Sequence, residues 1–500
     1  MSRSLVGRIA RRAGASPSAL SRRQFLLGSL ATGAALMLAD QRRSGVARGA
    51  APRVVIIGAG FGGLSCAYQL SRAGVRVTVL EARPRVGGRV HSLDNLLPGK
   101  KVEAGAELIG LNHPTWLAYA KQFNLTLNEL PESDEARSPI LLNGRRLLGP
   151  EVAKLWTALD TVLQSMNSDA RTINRQQPWL SPNAAALDAQ SLQQAAQRWP
   201  GTPLERQAAM AMIANDMNAF PDRYSYLAML ASIAGGGVEA FWTDSEMYRC
   251  ASGNQSLAFA LANAIGEANI QLRSPVAAID LSGATARVTL QSGTVLEADA
   301  VVLTAPPSTW DDLRVTPALP ADYRVSTGTA IKVLNRVDQP FWSAANLEPD
   351  SLSDQAVGMT WRGGEPSAAP SAATAKDPAC LTVFAGGNAA RQWLERTPPD
   401  RRTLANQELD VLFPGFSAHN QQQIFCGWPE ERWTRCGYSA PSQGQVTRVW
   451  PNLQRGWRDK LFFAGEYASP GFYGYMEGGL NSGAVLAGRL ARQFNLLQAR

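Results

Sequence analysis

Residues 54–57, within RVVII, form the uninterrupted apolar run that a strand buried on both faces carries. Residues 58–63 are a glycine turn, residues 64–72 repeat apolar positions at helical spacing, and residues 75–80 are a second apolar run that ends at Glu81. The order predicts strand, turn, helix and strand, a βαβ unit with parallel strands. Farther on, residues 114–123 and 151–166 carry the helix period, and "SLQQAAQRW" with "LERQAAMAMIANDM" prolongs an α-rich stretch to about Ala234. Gly235, Gly236 and Gly237 break it. A helix over 254–265 then precedes short strands between 270 and 306, with turn signals at Ser282-Gly283 and Ser292-Gly293. Residues 325–337 read as another strand and 363–379 as a surface loop rich in Pro, Ala and Ser. The chain closes with a strand, a loop and an amphipathic helix, and it contains no internal repeat.

The first fifty residues follow a different pattern. In "SALSRRQFLLGSL", Arg22 and Arg23 precede an apolar run over 26–38 whose 13 residues fall short of the ~20 that span a bilayer. The paired arginines, the short Gly- and Ala-rich run and the small residues around 47–51 resemble a twin-arginine export signal. That resemblance implies passage through the twin-arginine translocon, a periplasmic or secreted bacterial protein, and no permanent membrane anchor. Charge supports the division. Of 49 basic and 41 acidic residues, nine arginines and Asp40 lie in 1–50, leaving 40 of each sign in the rest. A neutral body offers no field for a polyanion, which excludes nucleic acid as a partner. The five cysteines are odd in number and widely spread, so there is no disulfide framework; Cys426 and Cys436 either pair after export or stay buried thiols. Three histidines without C-x-x-C or H-x-x-x-H spacing predict no metal site.

Gly58, Gly60 and Gly63 form GxGxxG between a predicted strand and helix. Such glycines permit the tight turn, let backbone approach a pyrophosphate, and pack helix on strand, while the helix N-terminus supplies positive dipole. Glu81 closes the second strand, where a carboxylate binds ribose hydroxyls and disfavours the 2′-phosphate of NADP. The continuation "EARPRVGGRVHSL" and the late segment "FFAGEYASPGFYGYMEGGLNSG" separate flavin from nicotinamide. With the first motif they resemble the flavin-containing amine oxidases, the family of monoamine, polyamine and L-amino-acid oxidases, over most of residues 53–500.

The resemblance implies an α/β fold: a Rossmann-like FAD-binding domain of the glutathione-reductase type with an α+β substrate-binding domain inserted in it. On this reading 51–110, 240–310 and 440–500 form the FAD domain, and 111–239 with 311–439 the substrate domain, including a helical part. The cofactor contacts it implies are Gly58, Ala59, Gly60, Gly62, Gly63, Glu81, Ala82, Arg83, Gly88 and Arg89, then Val276 in "SPVAAID", and Glu466, Met476 and Glu477 at the end. Monoamine oxidases attach flavin through a cysteine directly before the first cage tyrosine; here that residue is Gly437, with Cys436 one earlier, so non-covalent FAD is expected.

Lys332, in "TAIKVLNRVDQPFW", matches a family lysine that holds a water at flavin N5, and Tyr438 and Tyr475 match two aromatic rings that cage the amine. In "GAELIGLNHPTW", Leu108 takes the place of the carboxylate-binding arginine of amino-acid oxidases, and Glu107 precedes it. Arg249 is a candidate substitute for that arginine, or a partner of Glu107 or of a phosphate; a pocket-facing Glu107 would favour a second cationic group. The implied activity is oxidative deamination of L-amino acids, arginine and lysine slightly favoured, to 2-oxo acids, ammonia and hydrogen peroxide, with molecular oxygen as acceptor. Primary amine or polyamine oxidation to an aldehyde stays open, as do a flavin dehydrogenase or desaturase, a non-catalytic flavin module, and a homodimeric assembly.

Overall fold

The computed structural model describes residues 50–131, 134–364 and 377–497. The expected export signal, and most of the loop expected at 363–379, lie outside the described residues. Strand Arg53–Ile57 sits at the centre of a five-stranded parallel sheet. On one side it pairs with Ala300–Leu303 and then Leu461–Phe463, on the other with Arg76–Leu80 and then Ile270–Gln271. Its strands therefore come from the beginning, middle and end of the chain. Every residue of Ala300–Leu303 and Leu461–Phe463 is buried, as apolar runs without alternation require.

Helix Phe61–Arg72 crosses from the first strand to the second and packs on the closing helix Met476–Gln493. It begins at Phe61, three residues earlier than the apolar period places it, because Gly62 and Gly63 form its first turn. A Cβ on Gly483 would lie 2.2 Å from the Gly62 carbonyl oxygen, so the helices meet backbone to backbone only through glycine.

A second, seven-stranded sheet runs in the order Asn420–Cys426, Ala330–Val337, Ala379–Gly386, Met359–Gly363, Ser351–Ser353, Ile140–Leu142, Arg145–Leu147. Strand Ala330–Val337 starts five residues later than the apolar pattern predicts. Residues before it form a ladder with the Tyr438 loop instead, through Gly328 N–H to the Tyr438 carbonyl at 2.8 Å and Gly437 N–H to the Gly328 carbonyl at 2.9 Å. Helices Pro150–Ala170, Pro203–Asp216 and Tyr226–Gly235 build the α-rich region, the last ending at the predicted triple glycine. A smaller sheet carries Val276–Asp280 between Ala286–Leu290 and Arg314–Thr316, beyond the limit expected at 310. All five cysteines are free thiols, including Cys426 and Cys436. Among the described residues no helix is long and apolar enough to cross a membrane, and no group of His, Cys, Asp and Glu could hold a metal.

Candidate active site

One long cavity runs from the C-terminal end of the parallel sheet to the interior strands Ala330–Val337, Ala379–Gly386 and Met359–Gly363 of the seven-stranded sheet. At its sheet end, Gly58 takes φ +110° and Gly60 caps helix Phe61–Arg72 with no side-chain bond to the first-turn N–H groups. A Cβ on Gly60 would meet nothing within 4 Å, whereas one on Gly63 would lie 2.0 Å from the Gly58 carbonyl. Gly60 thus opens the turn toward the cavity and Gly63 closes it behind. Glu81, on the wall, accepts the N–H groups of Ala59 and Arg83, each at 2.8 Å, and keeps lone pairs for hydroxyl donors. Val276 and Met476 line the same cavity, and helix Met476–Gln493 begins there at Tyr475, also without a side-chain cap.

These features fit a flavin dinucleotide: two uncapped helix N-termini for anionic groups, an acid for ribose, and a glycine wall that backbone leaves open. Arg83 and Arg89 stand between. Arg83 Nη2 donates to Thr434 Oγ1 at 2.6 Å and pairs with Glu431 at 3.2 Å. Arg89 Nη1 lies 2.9 Å from both Glu466 Oε1 and the Gly437 carbonyl. Burial works against the Arg89 cation, but Glu466 outweighs it and holds its pKa above the ordinary value.

Glu466 also accepts the N–H of Gly474 at 2.7 Å, and the N–H and hydroxyl of Ser439 at 3.2 and 3.1 Å. Ser439 follows Tyr438 and Gly474 precedes Tyr475, so one carboxylate ties both tyrosine loops to Arg89. Both tyrosines line the cavity. The Tyr438 hydroxyl donates to the Asp216 carbonyl. The Tyr475 ring is met edge-on by His113 and Phe241 at centroid distances of 5.6 and 6.3 Å. His113 accepts the Gly110 N–H at 2.8 Å, and burial pushes its pKa down to about 3, so the imidazole is neutral. Burial, with the Asp216 and Glu246 charges added, pushes both phenols well above the usual tyrosine value.

Lys332, on strand Ala330–Val337, lines the same cavity and is 4% exposed. Its ammonium donates to the carbonyls of Glu103 and Gly105, at 2.8 and 3.1 Å, and to Glu107 Oε2. The other oxygen of Glu107 pairs with Arg249 Nη2 at 2.7 Å, and that nitrogen also donates to the Arg362 carbonyl at 3.0 Å. Burial raises the Glu107 carboxyl; Arg249 and Lys332 together outweigh it and hold the group below the usual carboxylate range.

Four residues expected at the ligand stand off the wall. Arg249 lies behind Glu107, paired with it rather than turned to a substrate carboxylate. Ala59 offers its N–H to Glu81, and Gly63 packs on Gly58. Glu477 follows Met476 by about 100° around the helix and turns away. Its carboxylate accepts the N–H groups of Thr115 and Trp116 at 3.0 and 2.9 Å, capping another helix, and burial raises it to about 7. Conversely, Asp216 and Glu246 line the cavity and were not anticipated. Asp216 ends helix Pro203–Asp216 and Glu246 precedes strand Tyr248–Cys250, so only tertiary packing brings them to the tyrosines.

Residues 61–491 match the family described as flavin containing amine oxidoreductase. The chain is 24% identical over 456 residues to a flavin-containing amine oxidase of Danio rerio, covering 86% of this chain and 84% of that one. It is 23% identical over 455 residues to the L-amino acid dehydrogenase of Synechocystis sp., covering 87% and 93%. Among solved structures, cyclohexylamine oxidase from Brevibacterium oxydans aligns with a TM-score of 0.78 at 24% identity, over 89% of this chain and all (100%) of the other. Putrescine oxidase bound to putrescine aligns with a TM-score of 0.77 at 22% identity, over 88% and 98%. A family match spanning this cavity from the glycine turn to the closing helix leads to one conclusion: the chain belongs to the flavin-containing amine oxidoreductases, enzymes that oxidise amines.

Proposed function

We propose that this chain is an exported oxidase, with non-covalently bound FAD, of small amines that carry a second cationic group. The observation that carries the reading is the wall around Tyr438 and Tyr475, where Asp216 and Glu246 join the two rings. FAD, when bound, accepts a hydride from the carbon bearing the amine and returns the electrons to O2 as H2O2. The remaining work falls to the chain. Gly58, Gly60, Glu81, Arg83, Arg89 and the two helix N-termini would hold the cofactor. The tyrosine rings exclude water and favour the neutral reacting amine; burial raises the Glu246 carboxyl, and a cation at the substrate's other end, beside Asp216 and Glu246, would draw that proton off and pair with the acids. Water then hydrolyses the imine to a carbonyl compound and ammonia.

Arg249 is engaged by Glu107, which favours diamines and polyamines over substrates needing an α-carboxylate clamp. Basic L-amino acids, arginine or lysine, are the second reading, favoured by the likeness to the L-amino acid dehydrogenase. Gly437 supports non-covalent binding: a Cβ there would lie 2.7 Å from both Ala330 Cβ and Asn218 Oδ1, so the position has no room for a cysteine. Anaerobic mixing with putrescine, spermidine, arginine, lysine and a monoamine tests the activity. Flavin bleaching by the dicationic compounds, peroxide on re-aeration and an aldehyde product are expected. A 2-oxo acid would establish the amino-acid reading, and bleaching by the monoamine alone would overturn the dicationic one. Retention in the cytoplasm of an Arg22→Lys, Arg23→Lys variant tests export.

A further inference from the structure

We infer that Glu107 is a positioning residue whose task is to lock Lys332 into the cavity wall as a fixed cation. The inference rests on reading Lys332 as the lysine beside the flavin ring. An ammonium has three N–H donors. Those of Lys332 have three acceptors in the protein: two carbonyls of the segment 103–105 and Glu107 Oε2. These three contacts hold the ammonium, and with it the charge, at a fixed place on the wall.

Glu107 decides how much charge that is. One carboxylate bridges two cations, Lys332 and Arg249, so the cluster keeps one net positive charge inside the protein. The groups around it on neighbouring strands do not cancel that charge. Cys380 and Cys426 are thiols that burial pushes up to about 12 and about 11. Burial likewise raises Glu103, bonded to Ser92 and Asn254, to about 7, so near neutral pH it offsets only part of that charge. The Trp361 ring, centred 5.5 Å from the ammonium, presents its negative face to a cation. Replacing Glu107 by glutamine removes the counter-charge while preserving shape. Two buried cations then repel, and the lysine is freed to leave its place or surrender its proton.

Stopped-flow absorbance of the FAD-loaded full chain, timing flavin reduction by amine apart from reoxidation by O2, tests this. The proteins compared are wild type, Glu107→Gln, Lys332→Met and the double variant. Glu107→Gln should slow reoxidation at least ~10-fold and change reduction less than ~3-fold. In the Lys332→Met background it should add less than ~2-fold, since a residue acting through another has nothing left to act on. Additive losses, or wild-type reoxidation in Glu107→Gln, overturn the proposal. Wild-type reoxidation in Lys332→Met overturns the reading of the lysine itself, and the two failures are thereby distinguished. Flavin circular dichroism between about pH 6 and about pH 9 is a readout independent of turnover. Glu107→Gln should gain a pH-dependent change that the double variant lacks; the same change in both counts against the lysine as its source. Should Glu107→Gln not retain FAD, Glu107→Asp keeps the charge one methylene shorter and should recover at least half the wild-type rate. Reoxidation as slow as in Lys332→Met would overturn the proposal.

Discussion

Truncating Glu466 to alanine should weaken the fold and disorganise both tyrosine loops at once. The carboxylate is 6% exposed and serves four donors: Arg89 at 2.9 Å, Gly474 N–H at 2.7 Å, and Ser439 N–H and hydroxyl at 3.2 and 3.1 Å. Leaving one partner of a buried ion pair uncompensated costs about 3–5 kcal/mol. Two stranded backbone N–H groups would add about 1–3 kcal/mol each if dry. The cavity admits water to part of the site, and Arg89 keeps the Gly437 carbonyl, so the middle of the ion-pair range alone is the better guide: about 4 kcal/mol. Against a total stability of roughly 5–15 kcal/mol this is a large fraction. Urea denaturation of wild type, Glu466→Gln and Glu466→Ala measures it. Glutamine keeps one acceptor oxygen and should lose about half as much. Turnover separates the tether from the fold: the glutamine variant, still folded, should show a raised KM and a lowered kcat, because Ser439 and Gly474 adjoin the two cage tyrosines. A loss under about 1 kcal/mol in Glu466→Ala, with unchanged kinetics, would refute the reasoning.

Two further outcomes follow from the same accounting. Burial raises Glu477 from 4.5 to about 7, so the folded chain binds that proton more tightly than the unfolded chain does, and stability should fall as pH rises through that window and level off above it. Denaturation midpoints across the window should show a shallower fall in Glu477→Gln, with Glu103, Glu246 and Glu408, also raised by burial, contributing to the remainder; an identical slope would exclude Glu477 as a source. Denaturing the holoprotein with acid should leave all flavin in the supernatant, since Gly437 has no sulfur and Cys436 is buried with its Sγ turned to the Gly437 carbonyl. Flavin in the pellet would contradict this.

The βαβ unit was legible because its signals are local: an apolar run, a glycine turn and a closing acid, all within about thirty residues. Boundaries were less so. Helix Phe61–Arg72 starts inside the glycines because periodicity registers apolar residues, and Gly62 and Gly63 contribute none. The chemistry of the substrate end was legible only as a set of residue types. Glu107, Arg249 and Lys332 were each singled out, yet their sharing of one carboxylate depends on the strands Ala330–Val337 and Tyr248–Cys250 converging on the segment 103–107. Glu477 misled for a related reason: adjacency to Met476 in sequence is a turn of about 100° in a helix, enough to move a carboxylate from the cavity to a neighbouring helix cap. Asp216 and Glu246 carried no local signal at all.

Charge along the cavity is sorted by position, and the sorting bears on orientation. At the sheet end, Arg83 and Arg89 are matched by Glu431 and Glu466, so the excess positive character there comes from two helix N-termini. At Lys332 one net cation remains after Glu107 is shared. Asp216 and Glu246 line the cavity with the tyrosines, and burial holds the Glu246 carboxyl well above its ordinary value until a cation beside it draws the proton off. On the proposed reading, a dicationic amine would lower its energy with one end at these acids and would meet repulsion on placing a second charge near Lys332. The end nearest the lysine is therefore driven to be neutral, which is the protonation state that hydride loss from the adjacent carbon requires. On the proposed diamine reading, this charge arrangement would orient the substrate and select its reactive form together, without the α-carboxylate contact that the engaged Arg249 leaves unsupplied.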